Sequence, residues 1–177
     1  MLRDLCLALA MRGQVVSVIA QNPERLDSLR DDAARHGKII NPLPVDYGHA
    51  VQLANRIRAA QTQHGPISLA VCWVHSDSPQ ALPTIASCLR GQTPPARLFH
   101  LIGSMDTRPS ARALIEAMTK NVPDIEWRRV LLGFKFKKQG SRWLTNEEIW
   151  QGTLAAIEND WTESVIGVVT PWGKRPA

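Results

Sequence analysis

Segments typical of β-strands and of α-helices alternate along nearly the whole chain. Residues 15–20 and 67–75 are short runs rich in β-branched and apolar side chains, which is typical of strands buried in a sheet. Between such runs, apolar residues recur at the three- and four-residue spacing of amphipathic helices. Parallel strands need a long crossover connection, and a helix usually supplies it. The alternation therefore predicts an α/β protein with a doubly wound, mostly parallel sheet between two layers of helices.

Local signals set the bounds of the predicted elements. Asn22 and Pro23 suit the N-cap and first turn of a helix, and the T-x-x-E pattern of Thr145 and Glu148 is a capping box. We expect Asp46 to cap the helix that follows it. The predicted helices are residues 2–12, 23–36, 49–64, 79–90, 110–120 and 145–158. The predicted strands are residues 15–20, 39–45, 67–75, 97–103, 127–136 and 165–169.

Burial can also be predicted for some of these elements. The segment 67–75 is the most apolar strand, so we expect it in the centre of the sheet. Pro42 and Pro44 place the second strand near an edge or make it irregular, because proline donates no backbone hydrogen bond. The predicted buried side of helix 49–64 consists of Val51, Leu53, Ala54, Ile57 and Ala60.

Composition narrows the class of protein. The 177 residues show no linker, repeat or change in composition, which predicts one domain over residues 1–177. Cys6, Cys72 and Cys88 are scattered without a Cys/His cluster, so we expect buried free thiols and no metal site. No apolar run is long enough to span a bilayer, and the amino terminus lacks the layout of a signal peptide. We therefore expect a cytoplasmic protein with no membrane partner.

The formal net charge of +5 raises the question of nucleic-acid binding. The basic residues concentrate in the segment 127–143, where aromatic side chains that could stack on bases are interleaved with them. Lys135 and Lys137 lie two residues apart and hence on one face of a strand. A solvated strand face explains this pattern more simply, so we expect no nucleic-acid partner. A small anionic ligand such as a dinucleotide also suits the mild positive balance.

The residues that follow the predicted strands are the candidates for ligand binding. In an open parallel sheet, ligands bind beyond the carboxyl ends of the strands. The four stretches at those ends are polar or small: Ala20, Gln21 and Asn22; Val45, Asp46 and Tyr47; Val74, His75, Ser76, Asp77 and Ser78; and Gly103, Ser104 and Met105. The sequence therefore predicts a binding edge assembled from several strand ends.

Together these segments resemble the short-chain dehydrogenase/reductase superfamily, which has a Rossmann fold. The similar stretches are VVSVIAQNPERL, PLPVDYGHAVQLANRI, GPISLAVCWVHSDSP, LFHLIGSMDTRP and SRWLTNEEI, and they extend over nearly the whole chain. The resemblance implies that a strand and a glycine-rich, phosphate-binding turn precede the first helix. We expect both to be missing here, as in a fragment or after a late start codon, with Leu2 just past the turn. Family members also often form homo-oligomers.

The resemblance implies an NADP or NAD site and assigns residues to it. Ala20, Gln21 and Asn22 would contact the adenosine ribose, and because they carry no carboxylate while Arg25 lies one helical turn on, NADP is favoured over NAD. The remaining residues implied to contact the cofactor are Leu2, Asp46, Tyr47, Trp73, Val74, His75, Ser76 and Gly103.

The implied catalytic residues are incomplete. Ser104 aligns with the serine that polarises the substrate carbonyl, and His75 is a candidate proton donor because imidazole titrates near neutrality. The Tyr-x-x-x-Lys pair of the family is absent, since Tyr47 is the one tyrosine and Val51 stands four residues after it. Two hypotheses follow: an oxidoreductase acting on a small carbonyl or alcohol, or a non-catalytic dinucleotide-binding or regulatory module.

Overall fold

The computed structural model describes residues 1–75, 77–103, 122 and 124–176. Its chain forms two compact units. The first, here called the amino-terminal unit, comprises Leu2–Ser68 and Val74–Gln92. The second, the carboxyl-terminal unit, comprises Met1, Leu69–Trp73 and Thr93–Ala177.

The amino-terminal unit contains two parallel strands and their flanking helices. Its elements are α1 (Arg3–Met11), β1 (Val16–Ala20), α2 (Pro23–Ala34), β2 (Ile40–Pro44), α3 (Ala50–His64) and α4 (Ala81–Leu89). β1 and β2 pair from Val16 opposite Ile40 to Ala20 opposite Pro44. The register is regular through both prolines, and β2 lies at the edge of this two-stranded sheet, as its prolines predict.

Helices cover both faces of this pair of strands. Val16 and Val18 of β1 pack against an apolar cluster contributed by α1, α2 and β2. Ile19, on the opposite face because strand side chains alternate, packs against a second cluster that includes residues of α3 and α4. The amino-terminal unit is therefore wound on both sides, as the alternation of elements predicts.

Two local predictions for α3 are wrong. His49, not Asp46, is the N-cap residue, and the Asp46 side chain bonds to the Gly48 N–H in a turn before the helix. Val51 is 75% exposed, although Leu53, Ile57 and Ala60 on the same helix are buried. Val51 lies in the first turn of the helix, on the opposite side from the apolar cluster.

The Gln92 side chain hydrogen-bonds to three backbone groups of the amino-terminal unit. Its Oε1 accepts from Ile67 N at 2.9 Å, and its Nε2 donates to Ile67 O at 3.2 Å and Leu89 O at 2.9 Å. We expect Gln92→Ala to lower the free energy of unfolding by about 2 kcal/mol, because partly buried backbone groups lose their partners. Urea denaturation measures this, with the exposed Gln63→Ala as the matched control. Equal losses in both variants would contradict the assignment.

The carboxyl-terminal unit is built on a four-stranded parallel sheet in the order β3–β4–β5–β8. Its elements are β3 (Leu69–Trp73), β4 (Ala96–Ile102), β5 (Ile125–Leu132), β6 (Phe134–Phe136), β7 (Ser141–Trp143), α5 (Asn146–Glu158), β8 (Glu163–Ile166) and a 3-10 turn (Trp172–Lys174). The predicted helix 110–120 lies outside the described residues.

Burial within this sheet differs from the prediction. β4 is the most buried strand, with all but one of its residues buried. β3, predicted to be central, lies at the edge of the described four-stranded sheet, and Cys72 is its one buried residue. Hydropathy ranks β3 first, but burial depends on which strands pair with it, and β4 has a partner on both edges.

The predicted strand 127–136 is interrupted at Gly133. The chain then turns into an antiparallel hairpin, β6–β7, which the sequence analysis did not predict. Phe134 forms an isolated antiparallel bridge with Val168, with Phe134 N donating to Val168 O at 3.0 Å. These bonds hold the start of the hairpin against the segment after β8.

The capping box predicted at the start of α5 is confirmed. Thr145 Oγ1 accepts from Glu148 N at 3.2 Å, and Glu148 Oε2 accepts from Thr145 N at 2.9 Å.

Over the ranges that the structure describes, no helix combines the length and apolar character that crossing a bilayer requires.

Candidate functional site

The carboxyl ends of β1 and β2 bring Gln21 and Asp46 together. Gln21 is the first residue after β1, and Asp46 lies two residues after the end of β2. Val45 N donates to Ala20 O at 3.1 Å, so the strand pairing continues to this point. The Gln21 side chain lies close enough to the Asp46 carboxylate to lower its pKa. Polar side chains of two neighbouring strand ends are therefore close together on the edge where parallel sheets bind ligands.

Asp46 is fixed by the turn that follows it. Its Oδ1 accepts from Gly48 N at 2.8 Å, and its backbone oxygen accepts from His49 N at 3.0 Å. The Gly48 N–H and the Gln21 side chain lower the pKa of Asp46 below its ordinary value of 3.8, and His49 Nδ1 lies 3.6 Å from its Oδ2. The side chain is 44% exposed. Asp46 is thus an oriented, ionised carboxylate that remains accessible.

A second turn lies against this one. A Cβ placed on Gly48 would lie 3.5 Å from Ser78 Oγ and 3.1 Å from Asp46 Oδ1. Ser78 N donates to His75 O at 3.1 Å, and Ser78 Oγ donates to Asp77 Oδ1 at 3.2 Å. His75, Asp77 and Ser78 therefore lie beside the Gly48 turn on the same polar edge.

Asn22 and Arg25 lie at the start of α2 on the same edge. Asn22 Oδ1 accepts from Arg25 N at 2.8 Å, so Asn22 caps the helix as predicted. The side chains of Asn22 and Arg25 are both exposed. The Asn22 side-chain oxygen is thus occupied as a helix cap.

Tyr47 has a different setting from its polar neighbours. It packs with Val74 against the apolar cluster that includes Val45, Leu53 and Ile57. Tyr47 and Val74 therefore belong to the apolar packing of the amino-terminal unit.

Comparison with solved structures identifies the fold. No protein-family model and no curated protein sequence matches the chain. A putative oxidoreductase from Escherichia coli K-12 superposes with a TM-score of 0.73 at 13% identity, covering 99% of this chain and 94% of the other. An alcohol dehydrogenase from Thermococcus sibiricus complexed with 5-hydroxy-NADP superposes with a TM-score of 0.70 at 14% identity, covering 98% of this chain and 92% of the other. A betaketoacyl-[ACP] reductase from Bacteroides thetaiotaomicron superposes with a TM-score of 0.69 at 15% identity, covering 93% of this chain and 90% of the other.

The chain shares a Rossmann-like fold with these solved structures. The predicted α/β class with a mostly parallel sheet and flanking helices is thereby confirmed. In this fold, the polar edge described above lies at the carboxyl ends of the strands, where the sequence analysis predicted ligand binding.

The structure distributes the remaining candidate residues as follows. Trp73 ends β3 and Gly103 follows β4, so both lie at the carboxyl edge of the four-stranded sheet, in the carboxyl-terminal unit. Leu2 is half-buried at the start of α1, and His75 is exposed. Ser76 and Ser104 lie outside the described residues.

Three residues of the site were not predicted as cofactor contacts: Gly48, His49 and Ser78. A signal for two of them is present in the sequence. An aspartate followed two residues later by glycine is typical of a turn in which the side chain bonds to the backbone. The D-Y-G-H stretch has this pattern at Asp46, although helix capping was the interpretation given to it.

Carboxylates neutralise much of the basic segment 127–143. Arg128 Nη2 lies 2.9 Å from Asp160 and 3.0 Å from Glu126, and Arg129 pairs with Glu163 at 2.8 Å. Asp160 and Glu126 raise the pKa of Arg128. Lys135 and Arg142 both contact Glu148. These cations serve intramolecular ion pairs, as expected for a solvated strand face.

Metal-ligating side chains do not cluster in the part of the chain that the structure describes. The cysteines are free thiols, and burial raises the pKa of Cys72 to about 12. A buried thiol with a raised pKa is a poor nucleophile, because the thiolate is the reactive form.

Proposed function

We propose that the protein binds a nicotinamide dinucleotide, NADP or NAD, with the adenosine end at the edge formed by Gln21, Asp46 and Ser78. The observation that supports this is the oriented, accessible carboxylate of Asp46 beside Gln21 at adjacent strand ends, in a fold shared with an alcohol dehydrogenase complexed with 5-hydroxy-NADP. Parallel α/β sheets bind nucleotides at this edge.

The residues present fit an adenosine chemically. The adenine amine and the ribose hydroxyls are hydrogen-bond donors, and Asp46 is an accessible acceptor held in place by Gly48 N. Because this donor orients the carboxylate before a ligand arrives, little side-chain entropy is lost on binding. In this proposal Asp46 accepts from the adenosine.

We further propose that the bound dinucleotide serves an oxidoreductase reaction on a small carbonyl or alcohol, for which it would supply or accept the hydride. In this proposal Ser104 hydrogen-bonds to the substrate oxygen and His75 carries the proton. The backbone oxygen of His75 accepts from Ser78 N, which anchors His75 in the turn of the site.

The alternative is a binding or regulatory module without hydride transfer. It is favoured by the absence of the Tyr-x-x-x-Lys pair from the sequence and by the packing of Tyr47 in an apolar cluster. NADPH and NADH oxidation with a panel of aldehydes and ketones separates the two. Turnover that His75→Ala lowers at least about tenfold supports the oxidoreductase, and no turnover despite binding supports the module.

Binding itself is tested by titrating NADH and NADPH against the chain and following nucleotide fluorescence. We expect Asp46→Asn to weaken binding about tenfold, because an ionised acceptor forms stronger hydrogen bonds than an amide does. The matched control is Asp27→Asn, which alters an exposed carboxylate on α2 that pairs with Arg30. If neither nucleotide binds at low-millimolar concentration or below, the proposed function is wrong.

A further inference from the structure

A cavity lies between the hairpin β6–β7 and the 3-10 turn that follows β8. Its volume is about 360 Å³, and it is lined by Phe136, Gly140, Pro171 and Lys174. Cavities that bind small molecules usually measure about 300–1,000 Å³, so this one has room for a single small ligand. All four residues belong to the carboxyl-terminal unit, and none of them is among the residues proposed to bind the adenosine.

Hydrogen bonds hold the two walls of this cavity together. Ser141 Oγ, on the hairpin, donates to Lys174 O at 2.6 Å, and Lys174 N donates to Pro171 O at 3.0 Å. At the base of the hairpin, Phe134 and Val168 exchange two backbone hydrogen bonds, of 3.0 and 2.9 Å. Because these bonds fix both walls before a ligand arrives, little conformational entropy is lost on binding.

The hairpin contributes an aromatic wall to the cavity. The Phe136 ring packs edge-on against Phe134, with 5.5 Å between the ring centroids, and Phe134 is fully buried. Phe136 itself is 53% exposed, so its ring is anchored by a neighbour and remains accessible. A flat apolar group that covers this ring removes apolar surface from water and stacks on an aromatic side chain, and both effects favour binding.

The charge around the cavity is positive. The two segments that form it, residues 133–145 and 167–176, contain no aspartate or glutamate. Lys174 is exposed and forms no ion pair with any residue that the structure describes, and Lys137 in the hairpin turn is likewise exposed and without an ionic partner there. A ligand that brings negative charge therefore meets cations, and neither segment places a carboxylate beside it.

We infer that this cavity binds a small organic acid that carries an aromatic ring. The ring of the ligand packs against Phe136 and Pro171, and its carboxylate pairs with the ammonium group of Lys174. An inorganic anion gains nothing from the apolar walls, and an uncharged ring forgoes the ion pair. The inference does not rest on the proposed function, because this site can be occupied whether or not a dinucleotide binds.

The test compares three probes by NMR titration of the whole chain: benzoate, benzamide, which lacks the charge, and acetate, which lacks the ring. We expect benzoate to bind with a Kd of about 1 mM and the other two probes about fivefold more weakly or worse. The benzoate shifts should concentrate in residues 133–143 and 167–176. Absence of saturable benzoate binding below about 10 mM, or shifts concentrated elsewhere, overturns the inference. Benzamide or acetate binding as tightly as benzoate overturns the ligand class.

Two substitutions assign the binding to its residues. Phe136→Ala removes the exposed ring and Lys174→Gln removes the cation, and each should weaken benzoate binding about fivefold. The matched controls are Trp161→Ala and Arg56→Gln, which remove an exposed ring and an exposed cation that do not line the cavity. Because all four side chains are exposed, we expect every variant to fold, with an NMR spectrum unchanged away from the substitution. Benzoate affinity that is unchanged in Phe136→Ala or Lys174→Gln, or equally weakened in the corresponding control, refutes the assignment.

Discussion

Replacing Gly133 by alanine should unfold the carboxyl-terminal unit at markedly lower urea concentration than the unchanged protein requires. A Cβ at this position would lie 2.1 Å from Val168 O and 2.6 Å from Val168 C. These are backbone atoms, so no side-chain rotation relieves the overlap. Relief requires separating the two segments and breaking the paired bonds between Phe134 and Val168. We expect a loss of about 3 kcal/mol or more in the free energy of unfolding.

Gly173→Ala is the matched control for this substitution. A Cβ on Gly173 meets no atom within 4 Å, and we expect a change within about 0.5 kcal/mol. The measurement is urea denaturation of all three proteins, followed by tryptophan fluorescence. If the Gly133→Ala protein were as stable as the Gly173→Ala protein, the backbone of Val168 would not lie as close to residue 133 as the structure shows.

Most elements of the fold follow from the sequence because their signals are local. Asn22 and Pro23 fix the start of α2, and Thr145 and Glu148 fix the start of α5, each within a single turn. Such signals depend on neighbouring residues and not on the rest of the fold. The strand order and the burial of β3 depend on pairing between distant segments, and hydropathy alone ranked β3 wrongly.

The hairpin β6–β7 escaped prediction for a related reason. Its strands are three residues each, shorter than a periodic pattern can reveal, and Lys135 and Arg142 resemble loop residues until Glu148 is placed beside them. The polarity of one hairpin face is thus satisfied by a residue of the helix that follows. Local propensity does not contain that information.

The candidate site was predictable in location but not in arrangement. The rule that ligands bind at the carboxyl ends of parallel strands pointed to Gln21 and Asp46 as separate candidates. Their proximity to each other, and the Gly48 turn that orients Asp46, required the register of β1 against β2. The assignment of Ser104, the single-domain organisation, the cytoplasmic location and the homo-oligomer stay predictions.

Glu148 accepts from four donor atoms of three residues and so joins the hairpin to α5. Arg142 Nη1 and Nη2 each lie 2.7 Å from its carboxylate oxygens, Lys135 Nζ lies 2.8 Å from Oε1, and Thr145 N donates to Oε2 at 2.9 Å. The side chain is only 19% exposed. Arg142, then Lys135 and the Thr145 N–H, lower the pKa of Glu148 well below its ordinary value of 4.5.

We expect Glu148→Gln to lower the free energy of unfolding by about 2 kcal/mol at neutral pH, because the amide replaces a charge-assisted acceptor and turns a donor toward cations. Glu147→Gln, one residue earlier and exposed, is the matched control and should change stability by less than about 0.5 kcal/mol. Urea denaturation at neutral pH measures both. Similar losses in the two variants would show that the contacts of Glu148 with the hairpin do not stabilise the fold.

The pH dependence of the Glu148→Gln effect gives the sharper result. Because the pKa of Glu148 is lower in the folded chain than in the unfolded chain, its stabilisation is complete above the unfolded value and is lost as the pH falls toward the folded value. The difference in unfolding free energy between the unchanged protein and Glu148→Gln should therefore be greatest at neutral pH and shrink steadily below about pH 4.5. A difference that is constant from neutral pH to pH 3 would mean that the carboxylate charge contributes nothing, leaving shape alone to explain the loss.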